Sequence, residues 1–162
     1  MTSSPPSPNR STETGAAGEP APDDGLRLLT SMAELVDLVR SRPESYVRYS
    51  AGPEHDASEQ SRDTESGLDL PGLSVNPLHP EAWWTRPLED WLARQVCQYA
   101  ELAEKNRDRF AWVLDGRMVG RGPDCEPLLA DIQPLAILTP RLLDEATARY
   151  ERNFDAHRGP ED

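Results

Sequence analysis

Between Leu70 and Trp84 the chain reads Leu-Pro-Gly-Leu-Ser-Val-Asn-Pro-Leu-His-Pro-Glu-Ala-Trp-Trp, and this stretch limits what the rest can fold into. Pro71, Pro77 and Pro80 forbid a helix through it, because proline lacks the amide donor and its ring clashes with the preceding turn. Yet Leu70, Leu73, Val75, Leu78, Trp83 and Trp84 call for burial. An irregular segment with this much apolar surface has to dock on a core or form the floor of a binding site. Regular elements must then be found on either side of it.

Upstream, residues 1–25 are rich in Ser, Pro, Thr, Gly and acids, with almost nothing to bury. They read as a disordered acidic tail. Residues 26–158 read as one domain. Its first helix starts at Ser31, where Ser31 and Glu34 match a capping box, and runs to Arg40 with Pro43 beyond its end. Tyr46–Ser50 is a strand, with Tyr46, Arg48 and Ser50 on one face and Val47 and Tyr49 on the other. Residues 54–70 are acidic and turn-rich and read as a solvated loop. The run Glu54-His55-Asp56 matches neither a calcium loop nor a zinc site, so no metal is expected there.

Downstream, Arg86–Leu102 is predicted to be the longest helix, burying Leu88, Trp91, Leu92, Val96, Tyr99 and Leu102. Asp115-Gly116, set between apolar runs, predicts a tight hairpin turn. Residues 126–130 and 132–138 read as two further strands, with Pro127 and Pro134 at edges or bulges. A last helix begins with Thr139 as cap and Pro140 in the first turn. This order specifies an α+β domain with a small, mainly antiparallel sheet, open to being split, and about three helices.

Charge and cysteine content narrow the function. A formal net charge of -12 argues against a nucleic-acid partner, which needs a basic face. All the basic residues except Lys105 are Arg, in keeping with a GC-rich genome. Cys97 and Cys125 supply neither a disulfide framework nor a zinc set. No apolar run approaches the ~20 residues of a membrane span, and none near the start suits a signal peptide. The expectation is a cytoplasmic protein without a membrane partner.

Tyr46–Ser50 with Gly52-Pro53, Leu70–Leu78 with Trp83-Trp84, Glu89–Gln95 and Gly120–Leu129 resemble an uncharacterised actinobacterial family, a domain of unknown function. That resemblance implies a shared fold and no activity.

A more distant resemblance is to ADP-ribosyltransferase-type domains. These carry an Arg on an early strand, a Ser-Thr-Ser-like strand later and a Glu before a late strand. Arg48, Ser74 in Gly-Leu-Ser-Val-Asn, and Glu126 in Glu-Pro-Leu-Leu follow that order. Val75 departs from the pattern, standing where Thr is usual. The resemblance implies NAD bound in a cleft. Arg48 would hold the pyrophosphate or ribose, Ser74 would support the Arg side and the ribose, and Glu126 would act as the catalytic carboxylate at the nicotinamide ribose. Read without the resemblance, Arg48 pairs with Glu126 or another acid, Ser74 caps a turn and Glu126 faces water.

Trp83 and Trp84 suggest a different function, a non-catalytic module that binds a protein partner through the Pro/Trp loop, on an exposed ring beside prolines, and through the acidic surface. The plainer reading is that both rings seal the loop to the long helix through Trp91.

Overall fold

The computed structural model describes residues 26–58 and 61–154; the tail expected over 1–25 lies outside them. In chain order the elements are β1 (Arg27–Leu29), α1 (Met32–Ser41), β2 (Tyr46–Ser50), α2 (Pro53–Ser58), β3 (Leu73–Ser74), β4 (Asn76–Pro77), α3 (Leu88–Val96), α4 (Gln98–Lys105), β5 (Phe110–Arg121), β6 (Pro127–Leu138) and α5 (Pro140–Phe154). The domain is α+β. Its six strands form one mixed sheet ordered β1-β6-β5-β2-β4, with β3 on β6. Only the β1–β6 pairing is parallel.

The β5–β6 hairpin is the backbone of the sheet, and its turn is not where Asp115-Gly116 predicts it. β5 runs straight through that dipeptide for 12 residues, and the turn falls at 122–126 instead. Asp115-Gly116 makes a bulge, where the register with β6 shifts. The Asp115 carboxylate accepts from its neighbour's amide, Gly116 N, at 2.6 Å, and facing it Asp131 sits at φ 55°. A Cβ at position 116 would lie 2.9 Å from the Ala130 carbonyl, so glycine is needed for strand approach rather than for a turn. The two strands expected over 126–130 and 132–138 are accordingly one, β6, with Pro134 beside another register shift.

Alternation along the strands sorts side chains onto two faces. Val47, Ala111, Val113, Ala136 and Leu138 join the main core, which α1, α3, α4 and α5 cover. The opposite face carries a smaller core of Trp112, Leu114, Leu129, Leu73 and Val75, with Tyr46 and Ile132 against it. Leu73, Val75 and Leu78 of the proline-rich segment are buried as expected. The segment reaches from one flank of β5 to the other: Leu73 and Ser74 pair with β6, and Asn76 and Pro77 pair with β2.

The expected long helix is broken at Cys97 into α3 and α4, and Leu102 is exposed rather than buried. After the break, α4 turns Tyr99 inward, where it stacks on Tyr49 at 5.5 Å. Part of the expected loop at 54–70 is helix α2, which lies against the second face. Thr139 caps α5 as predicted, accepting from Leu142 N, while its hydroxyl donates to Leu29 O and anchors β1. Ser31 caps α1, accepting from Glu34 N, and the Glu34 carboxylate turns back over the helix start, where the Thr30 and Ser31 amides and the Thr30 hydroxyl favour its ionised form. The carboxylate accepts from Thr30 N at 2.7 Å.

Candidate functional site

The smaller core leaves room for two adjoining cavities on the face away from the large helices. The more polar one, about 510 Å3, has Arg48, Ser74 and Glu126 in its wall. β2, β3 and the residue before β6 therefore bring the three expected side chains to one cleft.

Arg48 faces this cleft because it shares the parity of Tyr46 and Ser50, opposite the main core. Its Nε donates to Asp56 Oδ2 at 2.7 Å and its Nη2 to Asp56 Oδ1 at 3.3 Å. Its Nη1 donates to the Ser74 carbonyl at 2.8 Å. A guanidinium has more N–H groups than these three bonds use, and Arg48 lines the cavity with donors to spare. Asp56 also accepts from the Ser50 hydroxyl at 2.6 Å, and Ser50 in turn accepts from Trp112 Nε1 at 3.0 Å. The network fixes the guanidinium plane through β2, α2 and β5 together.

Ser74 holds the other side. Its hydroxyl donates to Glu126 Oε2 at 2.8 Å, and its amide donates to Ser61 Oγ at 3.0 Å. Glu126 Oε1 accepts from Asp124 N at 2.9 Å, so the carboxylate folds back over its own turn. A side chain at Gly122 would collide with that carboxylate, which makes glycine the residue that lets it sit there. Partial burial pushes the Glu126 carboxyl up, but the Ser74 hydroxyl and the backbone amides of Glu126 and Asp124 together hold it below the ordinary range. Ser74, Asp124 and Glu126 also border a separate cleft of about 430 Å3 on the side of Cys125 and Arg121.

Arg62 and Arg109 add positive charge to the polar cleft, and Asp63 and Asp124 add negative charge. With Asp56 and Glu126 counted, its carboxylates outnumber its guanidinium groups. Affinity for an anion there must rest on directed hydrogen bonds rather than on net field.

The tryptophan pair lies elsewhere, at the far end of α3. Trp84 is half-buried against Trp91, with ring centroids 5.1 Å apart, and its Nε1 donates to the Pro87 carbonyl. Trp83 meets the edge of Trp91 at 6.0 Å yet keeps 64% of its surface in solvent. Both rings thus contact Trp91, and only Trp83 presents an open face.

A family model described as a family of unknown function, DUF6098, matches residues 22–160. The chain belongs to that family. Comparison with curated proteins and with solved structures gives no match. The parts of this DUF6098 domain that sequence reasoning passed over are Asp56, Ser50, Ser61 and Trp112. Asp56 was hidden in an acidic run that read as solvated loop. Its one available signal was the Gly52-Pro53 step, a helix start with Pro at the first position and acids in the first turn. Among the described residues no group of three or more His, Cys, Asp or Glu side chains is arranged to hold a metal, and no helix is long and apolar enough to cross a membrane.

Proposed function

We propose that this DUF6098 domain binds NAD in the polar cleft and acts on it as an ADP-ribosyltransferase-like enzyme. The observation that carries the reading is the shared cleft of Arg48, Ser74 and Glu126, from elements in the order the resemblance requires. Arg48, its plane fixed by Asp56, offers its remaining N–H groups to the pyrophosphate or the adjoining ribose. Ser74 links the two sides, its carbonyl accepting from Arg48 and its hydroxyl donating to Glu126. Glycosidic bond cleavage leaves positive charge on the ribosyl carbon, and a fixed carboxylate lowers the barrier to reaching it. Glu126 suits that role because its hydrogen bonds favour the ionised form.

Calorimetric titration with NAD of the full chain, Arg48→Ala and Glu126→Gln tests this, with a melting curve for each variant. Saturable binding by the wild type is expected, weakened at least about tenfold by Arg48→Ala, the loss of a charge-assisted bond. Glu126→Gln should retain binding and lose about 100-fold in NAD hydrolysis, as for removal of one electrostatic stabiliser. Absence of NAD binding by the wild type rejects the reading.

Trp83 favours a second reading, a non-catalytic module that docks a protein partner on this ring. Arg86 and Arg94 lie over the neighbouring Trp84 ring at 5.9 and 5.7 Å, giving the patch a cationic rim. Affinity capture with wild type, Trp83→Ala and Trp84→Ala separates the two readings. Identical recovered partners would reject the module.

A further inference from the structure

The guanidinium groups that line the polar cleft differ in what they already hold. Arg48 donates to Asp56 and to the Ser74 carbonyl. Arg62 donates to Asp69, a residue outside the cleft lining. Arg109 is exposed, and its side chain makes no hydrogen bond or ion pair with another described residue. It therefore brings a full set of N–H donors to the cleft, where Arg48 brings only those its own bonds leave over.

The sheet sets the spacing of the two. Arg48 pairs with Trp112, and Ser50 pairs with Phe110. Arg109 immediately precedes Phe110, in a turn where its amide donates to the Asn106 carbonyl at 3.2 Å, so strand alternation does not yet govern its side chain. Arg48 and Arg109 thus enter the cleft three residues apart along the ladder, about 10 Å between backbones at the usual strand rise. Two side chains of this length close that distance onto neighbouring groups of one ligand.

Carboxylates outnumber guanidinium groups here, so an anion is held by the donors that touch it and not by a long-range field. A dinucleotide has two phosphates to hold. The spare N–H groups of Arg48 serve one of them, on the side that Ser74 joins to Glu126. The other needs a second donor set, and Arg109 is the cleft arginine whose set is wholly unengaged.

We propose that Arg109 holds the adenosine-side phosphate of NAD while Arg48 holds the nicotinamide-side phosphate, and that this second contact selects a dinucleotide over a mononucleotide. The inference rests on the reading of the cleft as a NAD site. It adds the direction in which the ligand lies, with the nicotinamide toward Glu126 and the adenosine past Arg109.

The test is calorimetric titration with NAD and with nicotinamide mononucleotide, which keeps the nicotinamide-side phosphate and lacks the adenosine half. The proteins are the full chain, Arg109→Gln and Arg117→Gln, each with a melting curve to show that it is folded. Arg117 pairs with Asp131 on the surface, outside the cleft lining, so its variant repeats the change in net charge alone. Arg109→Gln should weaken NAD at least about tenfold, the loss of a hydrogen bond between charged partners. Its affinity for nicotinamide mononucleotide should match that of the wild type, and Arg117→Gln should bind NAD as the wild type does. The inference is overturned if Arg109→Gln binds NAD like the wild type, if it loses the mononucleotide in the same proportion, or if Arg117→Gln weakens NAD as much. A wild type that binds no NAD overturns the reading of the cleft and this inference together. A wild type that binds NAD and gives any of those three results overturns this inference alone.

Discussion

The Ser74 hydroxyl donates to the Glu126 carboxylate over 2.8 Å, joining residues 52 positions apart in the chain. Behind it, Val75 N donates to the Pro127 carbonyl at 3.1 Å, so the backbone holds the pair in register. Ser74→Ala removes the largest influence that lowers the Glu126 carboxyl and leaves the upward push of burial in place. The Glu126 titration midpoint should rise. Carbon-detected NMR of the side-chain carboxyl, wild type against variant, measures it, and an unchanged midpoint would mean that the hydroxyl does not favour the ionised form.

How far this pair could be read beforehand depends on what each half needs. Ser74 and Glu126 are visible as residue types in an order, and of the apolar residues in the proline-rich segment Leu73, Val75 and Leu78 are buried as their character requires, whereas Trp83 is not. The pairing of that segment with β6 and β2 was not visible, because two-residue strands have no periodicity to detect. Asp115-Gly116 misled for a physical reason: the same backbone permissiveness serves a turn or a bulge, and only the facing strand decides between them. The helical break at Cys97 had no glycine or proline to announce it. Asp56 looked like one more solvated acid until the fold set Arg48 beside it.

Arg48 and Asp56 form the most enclosed ion pair of the polar cleft, with 21% and 5% of their side-chain surfaces exposed. Removing one partner strands the other, so Arg48→Ala should cost about 3 kcal/mol and Asp56→Ala a similar amount. The double variant should cost clearly less than the sum, because neither charge is then left alone. Urea denaturation of the four proteins gives the coupling; strict additivity would show that the pair contributes no mutual stabilisation.

Gly72 precedes β3 where the segment crosses onto β6. A Cβ there would approach Val119 Cγ2 to 2.8 Å and the Leu129 carbonyl to 2.9 Å. The valine can rotate; the carbonyl belongs to a paired strand and cannot. Gly72→Ala should therefore push β3 off β6 and destabilise the domain by about 1–3 kcal/mol, as overpacking does. Amide hydrogen exchange should accelerate first at Leu73–Val75. Unaltered protection there would show that the crossing tolerates a methyl group.

Cys97 and Cys125 should differ in reactivity. Burial pushes the Cys97 thiol up, with Glu151 adding to the effect, whereas Cys125 is exposed at the hairpin turn. A disulfide reagent at neutral pH should label Cys125 first, leaving Cys97 until the domain opens. Cys125→Ser should remove the fast phase, and survival of that phase would reverse the assignment.

Acid stability tests the join between α3 and α5. Asp90 is 4% exposed, and its Oδ1 accepts from Arg149 Nε at 2.8 Å and Asn153 Nδ2 at 2.9 Å. Its Oδ2 accepts from Arg86 Nη2 at 3.2 Å. Burial alone would raise this carboxyl, but Arg149, Arg86 and Asn153 outweigh it and hold the group below the ordinary aspartate range. In the unfolded chain its pKa returns to about 3.9, so between the two values the unfolded state binds the extra proton and stability rises with pH. The contribution is whole at neutral pH, begins to fall near pH ~5 and is lost as pH drops through the folded value. Asp90→Asn keeps the shape but not the charge, so it should destabilise the domain at pH 7 and lose less on acidification than the wild type. Denaturation midpoints from pH 7 to pH 3 measure the difference between the two proteins, in which the other carboxylates cancel. A constant gap across that range would show that the Asp90 charge does not tie α3 to α5.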